Sequence, residues 1–165
     1  MPRRVDIDET LLAASIPTYI LNEMFNHALE AYDEECCGLI IGSERERYAR
    51  VIRCKNDMTK HHEGDREKFP RSGKRAFWMN EHDYLNASSE AQASGQDVTA
   101  VYHSHVNADV YLSEMDLEFA EQPFFPFPKA NHIVLSVVRK RVRALGLFQR
   151  VDGRFVGRPI EPETP

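Results

Sequence analysis

The spacing of apolar side chains predicts a helix early in the chain and then two strands. In "TYILNEMFNHALEAY" (residues 18–32) apolar residues recur every three or four positions, and Pro17 suits the first helical turn. The apolar run "CCGLIIG" (residues 36–42) ends in glycine and predicts a buried strand. The alternating stretch "YARVIRCKN" (residues 48–56) predicts the next strand.

The middle of the chain begins with a long polar connection. From Asn56 to Arg75 no apolar period survives, so this segment is expected to be functional or mobile. "AFWM" (residues 76–79) predicts a short strand, and Glu81 to Ala93 predicts a helix ended by Gly95. "DVTAVYHSH" (residues 97–105) alternates and is rich in β-branched residues, which predicts a strand.

The last part of the pattern predicts one more helix and a β-meander. Residues 113–120 have helical character, and the prolines of "EQPFFPFPKAN" forbid regular structure directly after them. Three alternating stretches follow within residues 132–160, with Asp152-Gly153 as a hairpin turn: "HIVLSVV", "VRALGLFQ" and "RFVGRPI". Mixed helices and strands without a repeat or a linker predict a single α/β domain over residues 1–165.

Composition excludes several classes of protein. The 165 residues are 42% hydrophobic and 28% charged, as in ordinary globular domains, and the net charge of −5 gives no electrostatic footprint for nucleic acid. No apolar run approaches the roughly twenty residues of a membrane span, and the N-terminal stretch has no apolar core of a signal peptide. Three cysteines do not make a disulfide framework, so we expect a cytoplasmic protein without a membrane partner.

The stretch "HSHVNADVYLSEMD" (residues 103–116) has the residue types and spacing of a metal site. On a strand His103 and His105 point to the same face, so both imidazoles can reach one cation at about 2.0–2.1 Å. Asp116 would add a carboxylate from the first turn of the next helix. Two nitrogens and one oxygen leave a fourth position for water, which is typical of a catalytic zinc site.

The same residues permit a purely structural interpretation. Ser113 and Asp116 have the spacing of a capping box, and the two histidines could simply end an exposed strand. The interpretations are compatible at Ser113, whose hydroxyl can cap a helix and still point at a metal. The combination of all four residues favours the metal site.

Together with "EECCGLIIG", this stretch resembles the JAMM (MPN-plus) zinc metalloisopeptidase family. The two stretches match the E-x-C-G and H-x-H-x7-S-x2-D signatures in the family's order, and the resemblance runs from about residue 16 to residue 138. It implies a small stand-alone prokaryotic-type member. It also implies a cytidine-deaminase-like fold, a single MPN-type α/β domain with a central, mostly antiparallel mixed sheet flanked by helices.

The resemblance also implies a role for each residue of the motif. One zinc ion per chain would be held by His103, His105 and Asp116. Glu35 would be the catalytic base outside the metal shell, and Ser113 would stabilise the oxyanion of the tetrahedral intermediate. A glutamate that shuttles protons beside a zinc ion is coherent chemistry.

The chain departs from the family pattern at three positions and offers a second glutamate. Val106, Leu112 and Asp33 stand where many members have proline, which concerns loop rigidity and substrate fit rather than the ligands. Glu34 precedes Glu35, but on an extended segment it would face the opposite side. The E-x-C-G spacing therefore assigns the base to Glu35.

Four other features are given structural interpretations. Cys36 and Cys37 could be a redox pair, but adjacent cysteines make strained disulfides and core packing is favoured. "HHEGD" (residues 61–65) could be a second metal cluster, but a solvated loop is favoured. His27 is expected to be partly buried with a hydrogen-bond partner, and no role is assigned to His132.

Two segments are candidates for substrate binding. The first runs from Asn56 to Arg75; residues 55–75 hold seven Lys or Arg against four Asp or Glu, so 7 − 4 = +3 in an otherwise acidic chain. The second runs from Pro123 to Pro128 and carries three phenylalanines. It could cover the core or dock a partner.

Three functions from different classes remain open. The first is deubiquitinase-like hydrolysis of an amide or isopeptide bond after the C-terminal tail of a ubiquitin-like protein. That tail would be extended, end in Gly-Gly and bind as an added strand. The second keeps the site but processes a ubiquitin-fold sulfur-carrier protein. The third is a non-catalytic MPN scaffold. In the first two the partner is a ubiquitin-like protein or its conjugate, and the sequence does not indicate an oligomeric state.

Overall fold

A computed structural model gives the fold of residues 2–163, in which a seven-stranded mixed sheet lies at the centre. Its strand order is β2-β9-β8-β7-β5-β3-β4, and β1 pairs with β6 in a separate ribbon. Neighbours are antiparallel except in the β5–β7 and β2–β9 pairs. The elements are β1 (Val5–Asp6), β2 (Ala14–Pro17), α1 (Thr18–Ala31), β3 (Cys37–Gly42), β4 (Arg50–Cys54), α2 (Met58–Gly64), α3 (Glu81–Ala93), β5 (Asp97–Val106), β6 (Tyr111–Leu112), α4 (Glu114–Ala120), β7 (Asn131–Val138), β8 (Arg141–Val151) and β9 (Arg154–Glu163).

Helix α1 covers one face of the sheet. Its apolar positions lie on one side, so Ile20 and Met24 are fully buried against Tyr102 of β5 and Leu135 of β7. Burial of such aliphatic side chains stabilises the fold by about 1.5–3 kcal/mol each. The helix therefore fixes the central strands from behind.

Helix α3 and the proline-rich segment cover the opposite face. Ala87 of α3 packs with Leu39 of β3 and Val101 of β5, and Phe125 and Phe127 complete this second core. Strand β3 is buried along its whole length because both faces are covered. Of the motif residues, Glu35 precedes the start of β3, and His103 and His105 lie at the end of β5.

Most predicted elements are confirmed, and so is the fold class. Helices α1, α3 and α4, the strands β3, β4 and β5 and the three strands of the meander lie where the pattern placed them. The sheet is mixed, mostly antiparallel and flanked by helices. Asp152 and Gly153 both have positive φ, as a tight hairpin turn requires. Residues 121–130 form turns without helix or strand, as their prolines indicated.

Three predictions about local structure were wrong or incomplete. The connection after Asn56 contains helix α2, so His61 and His62 lie on a helix rather than in a loop. Residues 76–79 form one isolated bridge, Asn56 to Met79, instead of a strand. Strand β2, which pairs in parallel with β9, was not predicted. Across residues 2–163 we find no helix of the length and apolarity that crossing a bilayer requires.

Candidate metal centre and its cavity

Strand β5 presents both histidines of the motif on one face. The strand alternates, so His103 and His105 share a side while Ser104 between them points away and accepts the Cys36 N–H at 2.8 Å. The two Nε2 atoms are 3.2 Å apart, and the residues are only 1% and 5% exposed. The sequence-predicted convergence of the imidazoles is present.

Asp116 reaches the histidines from the first turn of α4. Its Oδ1 lies 3.3 Å from Nε2 of His103 and its Oδ2 lies 3.2 Å from Nε2 of His105. The predicted capping box is also present, since Ser113 Oγ accepts the Asp116 N–H at 3.1 Å and Asp116 Oδ2 accepts the Ser113 N–H at 2.9 Å. The cap thus fixes the carboxylate against the imidazoles.

A second contact orients the ring of His105. Its Nδ1 lies 2.8 Å from the carbonyl oxygen of Asp109, which can only accept a hydrogen bond, so Nδ1 carries the proton. In the neutral ring this leaves the Nε2 lone pair free and directed at His103 and Asp116. Histidines that ligate metals are commonly held in this way.

The spacing of these donors suits a metal ion. Around a tetrahedral zinc ion with ligands at about 2.0–2.1 Å, neighbouring donor atoms lie roughly 3.3 Å apart. The Nε2 atoms of His103 and His105 are 3.2 Å apart, and each lies 3.2 or 3.3 Å from one of the two carboxylate oxygens of Asp116. Within residues 2–163 these residues form the one group of three or more such side chains that could hold a metal.

Glu35 lies in the same cavity but outside this group. The cavity has a volume of about 120 Å³, and Glu35, His105, Ser113 and Asp116 all line it. Glu35 is 6% exposed, and this burial raises the pKa of its carboxyl to about 8. A cation held by the neighbouring ligands would lower that pKa again, because it favours the carboxylate.

The glutamate that precedes it points the other way. The Glu34 carboxylate accepts a hydrogen bond from the Thr59 hydroxyl at 2.5 Å and does not line the cavity. The Thr59 oxygen in turn accepts the Gly73 N–H at 2.9 Å. Glu34 therefore contacts the polar connection, whereas Glu35 faces the cavity.

The first candidate substrate segment, residues 56–75, borders this cavity at its end. Arg71, Lys74 and Arg75 line it together with Phe77, whose ring lies 4.6 Å from that of His103. The sequence indicated a positive segment here, but it did not indicate which cations reach the cavity. The position of these cationic side chains at the cavity depends on contacts between their segment and the residues that precede β3.

The second candidate segment, residues 123–128, lies farther from the metal ligands. Phe125 and Phe127 are buried in the second core, whereas Phe124 is 95% exposed. Phe124 and Phe127 also line a groove of about 480 Å³ that meets the cavity at Phe77 and Phe119. This segment covers the core and borders an open groove as well.

The remaining predicted features have structural surroundings. Cys36 and Cys37 are buried and free, which confirms core packing, and burial raises the pKa of both thiols, that of Cys36 to about 12. His27 is half-buried with Nδ1 2.7 Å from the Tyr102 hydroxyl, as expected. His132 is buried and stacks on Phe125, and burial lowers its pKa to about 3.

Comparisons with known proteins agree with this architecture. Proteins called CysO-cysteine peptidase from Mycobacterium bovis and Mycobacterium tuberculosis are 22% identical over 152 residues, which cover 92% of this chain and 92% of each relative.

Two solved structures have the same fold. One from Desulfitobacterium hafniense superposes with a TM-score of 0.67 at 18% identity, covering 92% of this chain and 94% of the other. One from Salinibacter ruber has a TM-score of 0.54 at 25% identity, covering 93% and 92%. Residues 17–147 match the family described as prokaryotic homologs of the JAB domain, which confirms the resemblance seen in the motifs. The chain belongs to this family of prokaryotic JAB domains.

Proposed function

We propose that this protein is a zinc-dependent hydrolase that cleaves the amide bond following the C-terminal tail of a ubiquitin-like protein. The observation that carries the proposal is the pairing of three convergent metal donors with a buried glutamate in one cavity. A scaffold would need neither the metal donors nor the glutamate. A hydrolase needs both, because the metal activates the electrophile and the glutamate moves the proton.

The proposed chemistry assigns the metal to the donors and the proton to Glu35. His103, His105 and Asp116 would hold the ion. Zinc, when bound there, supplies a Lewis acid that polarises the amide carbonyl and lowers the pKa of a water molecule. Glu35 takes the proton of that water and returns it to the leaving nitrogen. This residue is 6% exposed, and its carboxyl is therefore largely shielded from bulk water.

Ser113 is proposed to stabilise negative charge on the substrate oxygen. Its oxygen accepts the Asp116 N–H, and a hydroxyl that accepts one hydrogen bond still has its own proton to donate. The Ser113 side chain lines the cavity at the N-terminal end of α4, so its hydroxyl would donate this proton to a substrate oxygen there. Donors fixed in advance at such a position are the strongest contributors to acyl-transfer catalysis.

Between the two enzymatic substrates, we favour the carrier protein over a ubiquitin-like conjugate. The relatives are called CysO-cysteine peptidases, a name that couples one amino acid, cysteine, to CysO. Those relatives match 92% of the chain, so the comparison concerns the whole domain. The substrate proposed here is therefore a ubiquitin-fold sulfur-carrier protein that bears an added amino acid at its C-terminus.

The test of the proposed function is metal-dependent hydrolysis. The purified protein should contain about one zinc per chain, hydrolyse such a carrier adduct, lose activity in a strong chelator and regain it with added zinc. His103→Ala should lose both zinc and activity, because a donor is missing. Full activity in completely demetallated protein would contradict the mechanism, and folded protein that never binds zinc would support the scaffold.

A further inference from the structure

Three cationic side chains of one short segment line the catalytic cavity. Arg71, Lys74 and Arg75 reach it alongside the acids Glu35 and Asp116. The Lys74 ammonium is 3.1 Å from the Asp33 carboxylate, so part of its charge is neutralised. Among the side chains of residues 2–163, no carboxylate lies within ion-pair distance of Arg71 or Arg75. Within residues 2–163, the guanidinium groups of Arg71 and Arg75 therefore have no carboxylate as an ion-pair partner.

The segment is held firmly beside the catalytic glutamate. The Gly73 carbonyl accepts the Glu35 N–H at 2.7 Å, and the Gly73 N–H reaches Thr59, which donates to Glu34. A side chain at position 73 has no space, since its Cβ would lie 2.2 Å from the Glu34 carboxylate. Two backbone hydrogen bonds of Gly73 thus hold the segment between the two arginines, and the Lys74–Asp33 ion pair adds a side-chain contact.

The charge at the cavity distinguishes between two kinds of leaving group. An isopeptide bond releases a lysine side chain, whose ammonium is repelled by guanidinium groups. A peptide bond to a single C-terminal amino acid releases a group that carries an α-carboxylate. Guanidinium groups bind carboxylates through paired, charge-assisted hydrogen bonds, which makes them suited to the second kind.

The cavity has space for a small leaving group. Its volume is about 120 Å³, and it meets the larger groove at Phe77 and Phe119. Arg71 and Glu35 line the same cavity, so an anion held by Arg71 lies in the cavity of the residue proposed to return the proton.

We infer that Arg71 and Arg75 form a subsite for the free α-carboxylate of a single amino acid leaving from the carrier tail. This inference rests on the proposed function and assigns the side chains that would recognise the leaving amino acid. Hydrolysis places the hydroxyl of water on the tail glycine and the proton on the amino nitrogen of the released amino acid.

The experiment measures binding, so that it does not depend on turnover. Zinc-loaded Glu35→Gln protein is titrated calorimetrically with a short peptide ending in Gly-Gly-Ala, either as the free acid or as the C-terminal amide. Alanine avoids a thiol that would bind the metal. Charged hydrogen bonds of this kind contribute enough for the acid to bind about 10- to 100-fold more tightly than the amide.

Matched variants assign that preference to the two arginines. Arg71→Gln combined with Arg75→Gln in the same background should reduce the affinity for the acid to that for the amide. The control, Lys60→Gln combined with Arg66→Gln, removes two charges from the same segment at positions that do not line the cavity, and should keep the preference. Zinc content and circular dichroism confirm that each variant is folded and loaded.

Four outcomes would overturn the inference. These are equal affinity for acid and amide, no binding of either, a preference that survives both arginine substitutions, or equally tight binding of an amide peptide with aspartate before Gly-Gly. The third would place the carboxylate on the metal, and the fourth would make the ligand an acidic side chain of the tail.

Hydrolysis of the acid peptide and of a carrier adduct by the unsubstituted protein is measured separately. If the acid peptide binds more tightly than the amide but neither substrate is hydrolysed, the proposed function is contradicted and the carboxylate subsite stands. If the substrates are hydrolysed but acid and amide bind equally, the subsite is contradicted and the proposed function stands.

Discussion

The carboxylate of Asp116 takes part in two structures at once. It accepts the Ser113 N–H in the capping box, and its oxygens lie within 3.3 Å of both imidazoles. The helix cap and the metal site are therefore not alternatives for this pair of residues. The cap removes the freedom of the Asp116 side chain, which prepares it to act as a ligand at little entropic cost.

The first prediction at this scale concerns Glu35. Glu35→Gln keeps the shape of the side chain but cannot accept a proton, so we expect normal zinc content and a fall in kcat of about 10²–10⁴-fold. Steady-state kinetics with metal analysis on the same preparation measures both. Loss of zinc in this variant would show that Glu35 is a ligand instead.

Its matched control is Glu34→Gln. The amide oxygen can still accept the Thr59 hydroxyl, so the polar connection keeps its place and turnover should stay near that of the unsubstituted protein. An inactive Glu34→Gln beside an active Glu35→Gln would move the catalytic base by one residue.

The second prediction separates the two contributions of Ser113. In Ser113→Ala zinc should remain bound and kcat should fall by about 10²–10³-fold, as for the loss of an oxyanion donor. Loss of the cap should also lower the free energy of unfolding by about 1 kcal/mol. Asp116→Ala is the contrasting variant and should lose zinc. If Ser113→Ala is destabilised while its kcat is unchanged, Ser113 acts as a cap alone.

At the scale of elements, prediction from sequence succeeded where one face of an element is apolar. Strand β5 alternates, so the shared face of His103 and His105 could be derived before the structure was known. Helix α2 could not be found in this way, because Met58 is its one buried residue and no apolar stripe results.

The predicted strand at residues 76–79 failed for a different reason. The side chain of Asn56 accepts the Trp78 N–H at 2.9 Å and donates to the Ala76 carbonyl at 3.1 Å. Backbone pairing is therefore limited to the Asn56–Met79 bridge, and the Asn56 side chain bonds one backbone group each of residues 76 and 78. A contact between residues about twenty positions apart leaves no periodic signal in the sequence.

The prediction for helix α1 concerns its stability in acid. Burial lowers the pKa of His27 to about 4, against 6.5 in the unfolded chain. The unfolded chain therefore binds more protons between these values, so the free energy of unfolding should fall as the pH drops from about 6.5 to 4. Above 6.5 this contribution is fully present. Chemical denaturation at a series of pH values measures it.

The matched variants for this effect are two histidine substitutions. His27→Gln, which can still bond the Tyr102 hydroxyl, should reduce the slope of stability against pH in that window. His82→Gln, on the exposed side of α3, should leave the slope unchanged. An unchanged slope in His27→Gln would assign the acid sensitivity to another group, such as the buried ring of His132.

At the scale of the whole molecule, the site is built from segments that are far apart in sequence. Glu35 precedes β3, the histidines end β5 and Asp116 begins α4, while β3 lies beside β5 with Cys37 opposite His103. The motifs indicated these residues individually. Their common cavity depends on the strand order β7-β5-β3-β4, which hydrophobic pattern alone does not specify. The two arginines of the cavity were missed for the same reason.

The last prediction links the metal to the stability of the whole chain. An ion that binds the folded state and not the unfolded state stabilises the fold by about 2.7 kcal/mol when its concentration is 100 times its Kd. For a domain of this size that corresponds to a rise in Tm of roughly 5–10 °C. We therefore expect zinc to raise the Tm of demetallated protein by this amount, measured by calorimetry.

The same shift should be absent in His103→Ala and retained in Glu35→Gln, because only the first removes a donor. Without metal, the Asp116 carboxylate still contacts both imidazoles at 3.2 and 3.3 Å, so demetallated protein should remain folded below its lower Tm. An equal rise of Tm in His103→Ala would place the zinc elsewhere on the protein and would contradict the site described here.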